Sequence, residues 1–176
     1  MKFTALKIPG AYLIEPEAAV DERGSFAILY SPDEFRERGL RTDVSQSCVS
    51  FNSKKGTVRG LHYQVKPHEQ AKVVRCSRGG VYDVILDLRP ESPAYKRWWG
   101  VELTSQGLKS IYVPEGCAHG FQTLEDGVDV TYLLFGRRMS DCERGIRWDD
   151  PAFAIDWPLQ LTVISPRDRS YAGFAG

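Results

Sequence analysis

Short apolar stretches rich in β-branched and aromatic residues recur along most of the chain, and turn residues separate them. Extended stretches with glycine, proline and charged residues between them are typical of an all-β sandwich, jelly roll or barrel. We therefore predict an all-β fold, and a double-sheet jelly roll fits the number of strands. The predicted strands are 11–15, 25–30, 44–51, 58–64, 71–76, 81–88, 98–103, 110–113, 120–124 and 128–135.

One segment near the N-terminus departs from this pattern and predicts a short helix over 32–38. Ser31 is suited to the N-cap, Pro32 to the first helical position, and Gly39 to the residue beyond the end. The tail from 149 to 168 is interrupted by prolines and is expected to wrap the strands irregularly. A length of 176 residues suits one well-buried core, so we expect a single domain over 1–176.

Composition restricts the possible partners. Lys plus Arg and Asp plus Glu number 23 each, so no net charge attracts the protein to nucleic acid or to an anionic membrane. The chain has no apolar run of membrane-spanning length, and its N-terminus lacks the apolar core of a signal peptide. We expect a cytoplasmic protein without a nucleic-acid or membrane partner, although a small anionic ligand remains compatible with this composition.

The cysteines indicate no metal or redox motif. Cys48, Cys76, Cys117 and Cys142 are widely separated and form no C-x-x-C pair. Cys117 lies two residues before His119 in a segment that reads as a loop. A Cys/His nucleophile is an alternative at this point, but residues two apart in sequence need not reach one substrate together.

The stretch from Arg59 to Gln64 concentrates hydrogen-bonding side chains around His62. In a strand over 58–64, a period of two points Arg59 to one face and His62, with Gly60 and Gln64, to the other. A single histidine on such a strand is as readily structural as catalytic. Adjacent strands of one barrel, however, could direct further acids, bases and cations into the same cavity: Lys72, Asp83, His119 and Tyr132.

A series of ordered motifs runs from DERG at 21–24 to Asp168. The others are RGLHYQ at 59–64, AKVVRC at 71–76, VYDV at 81–84, VPEGCAHGF at 113–121 and RGIRWDDP at 144–151. Together they resemble the dTDP-4-dehydrorhamnose 3,5-epimerase family. The resemblance implies a cupin-type jelly roll, usually a homodimer, that acts on a nucleotide-diphosphate-linked 4-keto-6-deoxyhexose without a metal or redox cofactor.

The implied reaction removes a proton from a carbon next to the C4 ketone, at C3, C5 or both. It needs a base, a cation or donor at the enolate oxygen, and an acid on the opposite face. By the resemblance, His62 is the base and Asp168 orients it. Lys72 then stabilises the enolate, and Tyr132 returns a proton from the other side.

The resemblance assigns seven further positions to substrate binding. Arg23 and Arg59 correspond to diphosphate-binding cations, for which planar guanidinium groups are well suited. Asp83 and His119 correspond to a second His/Asp pair in the cavity. The full set is Arg23, Phe26, Gln46, Arg59, Asp83, His119 and Arg138.

Two alternatives remain for the same architecture. The segment Pro114–His119 resembles the second motif of metal cupins, but the first motif requires H-x-H, and Gln64 stands at its second position. Glutamine is a poor replacement for a ligating imidazole, so we predict no metal site. The other alternative is a cupin that binds a sugar nucleotide without turning it over.

Several positions in the substrate-recognition region differ from the usual family pattern. Ile28 stands in place of a glutamate, Cys48 in place of an asparagine, and Arg137 and Arg138 in place of an aromatic pair. The proposed proton-transfer residues are all present. The sequence therefore predicts the reaction, but leaves open the sugar, the nucleotide and the number of centres inverted.

Overall fold

Two antiparallel sheets that face each other contain most of the strands. The computed structural model describes residues 1–174. Its strands and helices, in chain order, are β1 (Lys2–Ala5), β2 (Tyr12–Glu15), β3 (Ala18–Asp21), β4 (Gly24–Ala27), α1 (Pro32–Arg36), β5 (Val44–Asn52), β6 (Val58–Gln64), β7 (Ala71–Arg78), β8 (Gly80–Asp87), β9 (Trp98–Thr104), β10 (Ser110–Val113), β11 (Cys117–Thr123), β12 (Val128–Phe135), β13 (Glu143–Gly145) and α2 (Pro166–Arg169).

The order of the strands in each sheet determines which side chains can meet. The six-stranded sheet has the order β1-β2-β10-β7-β12-β5, and the five-stranded sheet has the order β13-β6-β11-β8-β9. The hairpin β3-β4 forms a separate two-stranded sheet. Residues on β6 and β11 therefore lie on one wall of the molecule, and residues on β5, β7 and β12 lie on the facing wall.

Apolar side chains fill the space between the sheets and cover their outer faces. The inner cluster includes Val74 and Val130 from the six-stranded sheet and Ile85 and Leu103 from the five-stranded sheet. Removing such side chains from water is the main favourable contribution to folding. The two sheets consequently hold each other in place at one end of the sandwich.

Both outer faces are covered by elements outside the two sheets. Phe35 of α1 is fully buried against Phe135 and Tyr112 on the outside of the six-stranded sheet. On the outside of the five-stranded sheet, Phe153 and other side chains of the tail pack against Leu61 of β6. The predicted jelly roll, with one short N-terminal helix and an irregular C-terminal wrap, is confirmed.

The boundaries of some elements differ from the predictions. The first helix ends at Arg36, two residues earlier than predicted, and β1, β3, β13 and α2 were not predicted. Cys117 lies in β11 and not in a loop, so that prediction is wrong. Burial raises the pKa of the Cys117 thiol to about 12. The thiol stays protonated at neutral pH, which removes the basis for a Cys/His nucleophile.

Within residues 1–174, no helix has the length and apolar character needed to cross a bilayer.

Candidate active site

A cavity of about 260 Å³ is bounded by strands of both sheets. The five-stranded sheet contributes residues of β6 and β11, and the six-stranded sheet contributes residues of β5, β7 and β12. Most of the predicted site residues line this cavity, namely Gln46, Arg59, His62, Lys72, His119, Tyr132 and Arg138.

An irregularity in β6 brings Arg59 and His62 into the same cavity. His62 pairs with His119 on β11 and Arg59 pairs with Phe121, so the register shifts by one residue between these two pairs. Such a β-bulge interrupts the alternation of side chains. The prediction that Arg59 and His62 face opposite ways is therefore wrong.

Gly60 makes this bulge possible. Its φ is +116°, and a Cβ at this position would lie 2.6 Å from the Cα of Gly120. Only glycine meets both requirements, because L side chains rarely adopt this backbone conformation. The close approach of the two glycines holds β6 against β11 next to His62.

His62 has the carboxylate partner that the resemblance implies. Its Nε2 lies 2.7 Å from Oδ1 of Asp168. The second oxygen, Oδ2, accepts a hydrogen bond of 3.1 Å from the backbone N–H of Gly60. Burial tends to raise the pKa of the Asp168 carboxyl, but the hydrogen bonds from His62, Gly60 and Ser165 together lower it below its usual value.

The position of Asp168 is determined by α2. Ser165 is the N-cap residue, and its hydroxyl accepts a hydrogen bond of 3.0 Å from the backbone N–H of Asp168. Pro166 occupies the first helical turn. This cap fixes Asp168 at the start of a short helix that contacts β6, opposite His62.

A second His/Asp pair lies beside the first. Nε2 of His119 lies 2.9 Å and 3.0 Å from the two carboxylate oxygens of Asp83. Asp83 is completely buried, and this burial raises the pKa of its carboxyl despite the opposing effects of His119 and Lys72. His119 lines the cavity, whereas Asp83 does not. Asp83 can therefore act on a substrate only through His119.

The facing wall supplies a cation and a phenol. Lys72 donates a hydrogen bond of 3.2 Å to the backbone carbonyl of His62. Burial lowers the pKa of the Lys72 ammonium to about 8, although Asp83 and Glu143 favour its charged form. Burial also raises the pKa of the Tyr132 phenol. Tyr132 consequently keeps its proton at neutral pH and can act as an acid.

Arg59 is held by uncharged groups only. Its Nε donates to Oδ1 of Asn52 at 2.6 Å, and Nη2 donates to the carbonyl of Phe51 at 3.1 Å. The Asn52 amide is itself fixed, since its NH₂ group donates to the carbonyls of Ser50 and Val128. Within residues 1–174, no carboxylate pairs with the Arg59 guanidinium at the cavity.

Two other arginines at the cavity share one carboxylate. Arg138 donates to Oε1 of Glu143 at 2.6 Å, and Arg167 donates to Oε2 at 3.0 Å. Arg144 also lines the cavity and donates to backbone carbonyls. Cations thus outnumber carboxylates along the cavity wall, which favours an anionic ligand.

Sequence reasoning missed several lining residues. Glu143, Arg144 and Arg167 were not among the candidates, although the first two adjoin or open the RGIRWDDP motif and the third precedes Asp168. Their position next to those motifs could have marked them as candidate site residues. In a sequence without structure, such charged residues look like solvent-exposed surface residues.

Two predicted binding residues lie away from the cavity of their own chain. Arg23 and Phe26 belong to the β3-β4 hairpin, where Phe26 is exposed. The Arg23 guanidinium forms an ion pair with Asp21, with Nη2 2.6 Å from Oδ2. Neither residue lines the cavity within one chain, and their role in substrate binding stays a prediction.

The described residues do not bring together the metal-binding side chains that a metal cupin needs. Among residues 1–174, no group of three His, Cys, Asp or Glu side chains is arranged to hold a metal ion. Gln64, at the position of the second histidine of such a motif, uses its amide elsewhere. Its Nε2 donates to the carbonyls of His68 and Arg137, and its Oε1 accepts from the N–H of Met139 at 2.8 Å.

The fold and the cavity define a cupin-type jelly roll with acid and base groups on both walls, as in isomerases that move protons. A family model described as dTDP-4-dehydrorhamnose 3,5-epimerase matches residues 5–175, and the chain belongs to this family. The predicted family and the predicted type of enzyme, an epimerase acting on carbohydrates, are confirmed.

Individual relatives align with nearly the whole length of this chain. A dTDP-4-dehydrorhamnose 3,5-epimerase of Mycobacterium tuberculosis is 42% identical over 178 residues, covering 99% of this chain and 88% of the relative. A dTDP-4-dehydrorhamnose 3-epimerase of Streptomyces niveus is 40% identical over 172 residues, covering 96% and 82%. The crystal structure of a dTDP-6-deoxy-D-glucose-3,5-epimerase of Legionella pneumophila, in complex with dTDP-4-keto-L-rhamnose, has a TM-score of 0.90 and 34% identity, covering 97% and 90%.

Proposed function

We propose that this chain, acting as one jelly-roll domain, epimerises a dTDP-linked 4-keto-6-deoxyhexose next to its ketone. The observation that carries the proposal is the arrangement of His62 and Asp168 on one wall of the cavity, with Lys72 and Tyr132 on the other. Groups on opposite walls can reach opposite faces of a flat enolate. This is the requirement for removing a proton from one face and returning one to the other.

His62 acts as the base through Nδ1. Because the carboxylate of Asp168 accepts the hydrogen of Nε2, the tautomer with a free lone pair on Nδ1 is favoured. The imidazolium that forms after proton abstraction is stabilised by the same carboxylate. The carbon acid loses its proton to Nδ1, and the electron pair moves to the C4 oxygen to give the enolate.

Lys72 and Tyr132 complete the proton transfer from the facing wall. The Lys72 ammonium stabilises the negative charge on the C4 oxygen, and its low-polarity surroundings strengthen this interaction. Tyr132 then gives its phenolic proton to the carbon from the face opposite His62. Solvent then reprotonates the Tyr132 phenolate, whose raised pKa favours the protonated state at neutral pH, and takes up the proton carried by the His62 imidazolium.

The basic side chains along the cavity bind the diphosphate. In the described part of the chain, Arg59 has no carboxylate partner that would compete with phosphate, and a guanidinium can donate two parallel hydrogen bonds to phosphate oxygens. The relative from Legionella pneumophila was crystallised with dTDP-4-keto-L-rhamnose, which supports a dTDP-linked sugar as the ligand of this chain.

Relatives that invert two centres and relatives named for one centre match this chain similarly. Incubating the enzyme with a dTDP-linked 4-keto-6-deoxyhexose in D₂O tests the proposal and counts the centres, because each enolisation exchanges one carbon-bound hydrogen. We expect deuterium at C3, at C5 or at both, measured carbon by carbon by NMR. No incorporation into this class of substrate would refute the proposed activity.

We also propose a homodimer that involves the β3-β4 hairpin. Its Val20 and Phe26 side chains are 77% and 72% exposed, and β5, at the edge of the six-stranded sheet, exposes Val49 and Phe51. A partner's hairpin on this edge buries both apolar surfaces.

In such a dimer the partner's Arg23 and Phe26 approach the cavity, because Gln46 and Cys48 of β5 line it. Light scattering should give the mass of a dimer. Phe26→Asp should shift it toward the monomer, whereas a monomeric wild-type protein would contradict this proposal.

A further inference from the structure

The ring of Tyr171 packs against the imidazole of His62. The two ring centroids are 6.2 Å apart and the planes are inclined by 72°, an edge-to-face contact. Tyr171 follows Ser170, the C-cap residue of α2, which is the helix that carries Asp168. One short segment thus supplies both the hydrogen-bond partner of His62 and an aromatic ring that contacts it.

Gly145 provides the space for this ring. Gly145 pairs with His62 across β13 and β6. A Cβ on Gly145 would lie 2.0 Å from Cε2 of Tyr171, which is far shorter than any van der Waals contact. Any larger residue at 145 must therefore displace the ring, and with it the contact to His62.

The hydroxyl of Tyr171 does not explain why the side chain lies here. It is buried and makes no hydrogen bond of good geometry among residues 1–174, although the Arg167 guanidinium lies near it. A buried hydroxyl without a well-formed hydrogen bond is unfavourable, so the packing rests mainly on the ring. This separates the role of Tyr171 from that of Tyr132, whose hydroxyl is assigned a chemical step.

We propose that Tyr171 is a positioning residue, whose ring, seated on Gly145, holds the imidazole of His62 in line with Asp168 and with the substrate carbon. The inference rests on the proposed function of His62 as the base. The His62 side chain is 41% exposed even with Tyr171 in place, so solvent rather than packing borders much of its ring. Rotation of the ring breaks the Nε2 contact with Asp168 and moves Nδ1 away from the substrate.

Removal of the ring should lower kcat and leave nucleotide binding nearly unchanged. Tyr171→Ala should reduce the rate of solvent-deuterium incorporation by about 10- to 100-fold, the range expected for misplacing a catalytic group by about 1 Å. Tyr171→Phe, which keeps the ring and removes the hydroxyl, should restore the wild-type rate. The affinity for dTDP, measured by calorimetry, should be the same in all three proteins.

Gly145→Ala should reproduce the loss seen in Tyr171→Ala, and should have little further effect in the Tyr171→Ala background, where no ring is left to displace. Gly100→Ala is the matched control. A Cβ on Gly100 would lie 2.2 Å from the hydroxyl of Tyr82, the same kind of clash on the five-stranded sheet. It should cost thermal stability but not the exchange rate per folded enzyme.

The outcomes separate this inference from the proposed function. If wild-type enzyme incorporates deuterium and Tyr171→Ala does so at the same rate, the positioning role is wrong and the proposed function stands. If Tyr171→Phe loses activity as Tyr171→Ala does, the hydroxyl acts and the inference is wrong. Absence of incorporation by the wild-type enzyme refutes the proposed function itself.

Discussion

The two His/Asp pairs have the same chemical groups, with their histidines on the neighbouring strands β6 and β11, but different surroundings. In the first pair, the side chain of His62 is 41% exposed and that of Asp168 is 6% exposed. In the second, the values are 9% for His119 and 0% for Asp83. The pKa of Asp168 is lowered by its hydrogen bonds, whereas burial raises the pKa of Asp83.

This difference assigns different tasks to the two pairs. The Asp168 carboxylate receives hydrogen bonds from His62 and Gly60, so it stays charged when the neighbouring imidazole gains a proton. Asp83 has the His119 ring as its only hydrogen-bonding side chain within residues 1–174, and burial disfavours its charge. The first pair is therefore suited to proton transfer, and the second to holding a ligand-contacting imidazole in place.

Replacing the two carboxylates one at a time should show the difference between the two pairs most clearly. Asp168→Asn removes the acceptor that selects the tautomer of His62, and we expect kcat to fall by about 10²- to 10⁴-fold, the usual contribution of a general base. Asp83→Asn should cause a much smaller loss of kcat. Deuterium exchange per folded enzyme measures both, and equal losses would contradict the division of tasks.

Lys72 donates a hydrogen bond to the backbone carbonyl of His62 and interacts electrostatically with Asp83. Its titration should set the alkaline limit of activity. Because burial lowers its pKa to about 8, the ammonium loses its proton as the pH rises above this value, and enolate stabilisation is lost with it. We expect kcat/KM to fall about tenfold per pH unit above that point. Lys72→Gln should be slow and should lack this limb; an unchanged alkaline limb would assign it to another group.

The contributions of Asp168 and Asp83 to stability should change in opposite directions with pH. This effect should be smaller than those of the carboxylate replacements and of the Lys72 titration. A carboxyl with a lowered folded pKa, such as Asp168, stabilises the fold above its ordinary pKa of 3.8, and this contribution disappears as the pH falls. A carboxyl with a raised pKa, such as Asp83, contributes stability at low pH that is lost as the pH rises.

Denaturant unfolding of Asp168→Asn and Asp83→Asn between pH 7 and pH 2 measures these contributions, because the contribution of Asp168 is lost only as the pH falls below its ordinary pKa of 3.8. We expect differences of about 1–2 kcal/mol. The advantage of the wild type over Asp168→Asn should shrink on acidification, and its advantage over Asp83→Asn should grow. Parallel changes in the two variants would show that the carboxyls do not differ in this way.

The regular parts of this fold could be predicted because they depend on repeated local patterns. The strands β5 to β12 follow from alternating and β-branched stretches between turns, and α1 follows from Ser31 and Pro32. The strand β13 and the helix α2 are too short, at 3 and 4 residues, for a periodic pattern to develop. They depend on tertiary pairing with β6 and on a cap at Ser165.

The composition of the site was predictable from its motifs, but its geometry was not. The register shift that turns Arg59 toward His62 depends on the meeting of Gly60 and Gly120, which belong to different strands. A period of two within β6 contains no sign of that contact. Similarly, no local pattern indicates that Arg138 and Arg167 share Glu143, since the three residues come from three separate segments.

Of the two histidines at the cavity, we propose His62, and not His119, as the base. The most direct measurement is the rate of deuterium incorporation at C3 and C5 of a dTDP-linked 4-keto-6-deoxyhexose in D₂O, compared among wild type, His62→Ala and His119→Ala. We predict a loss of about 10²- to 10⁴-fold for His62→Ala, with dTDP affinity retained, and measurable exchange in His119→Ala. Exchange at the wild-type rate in His62→Ala would contradict the account.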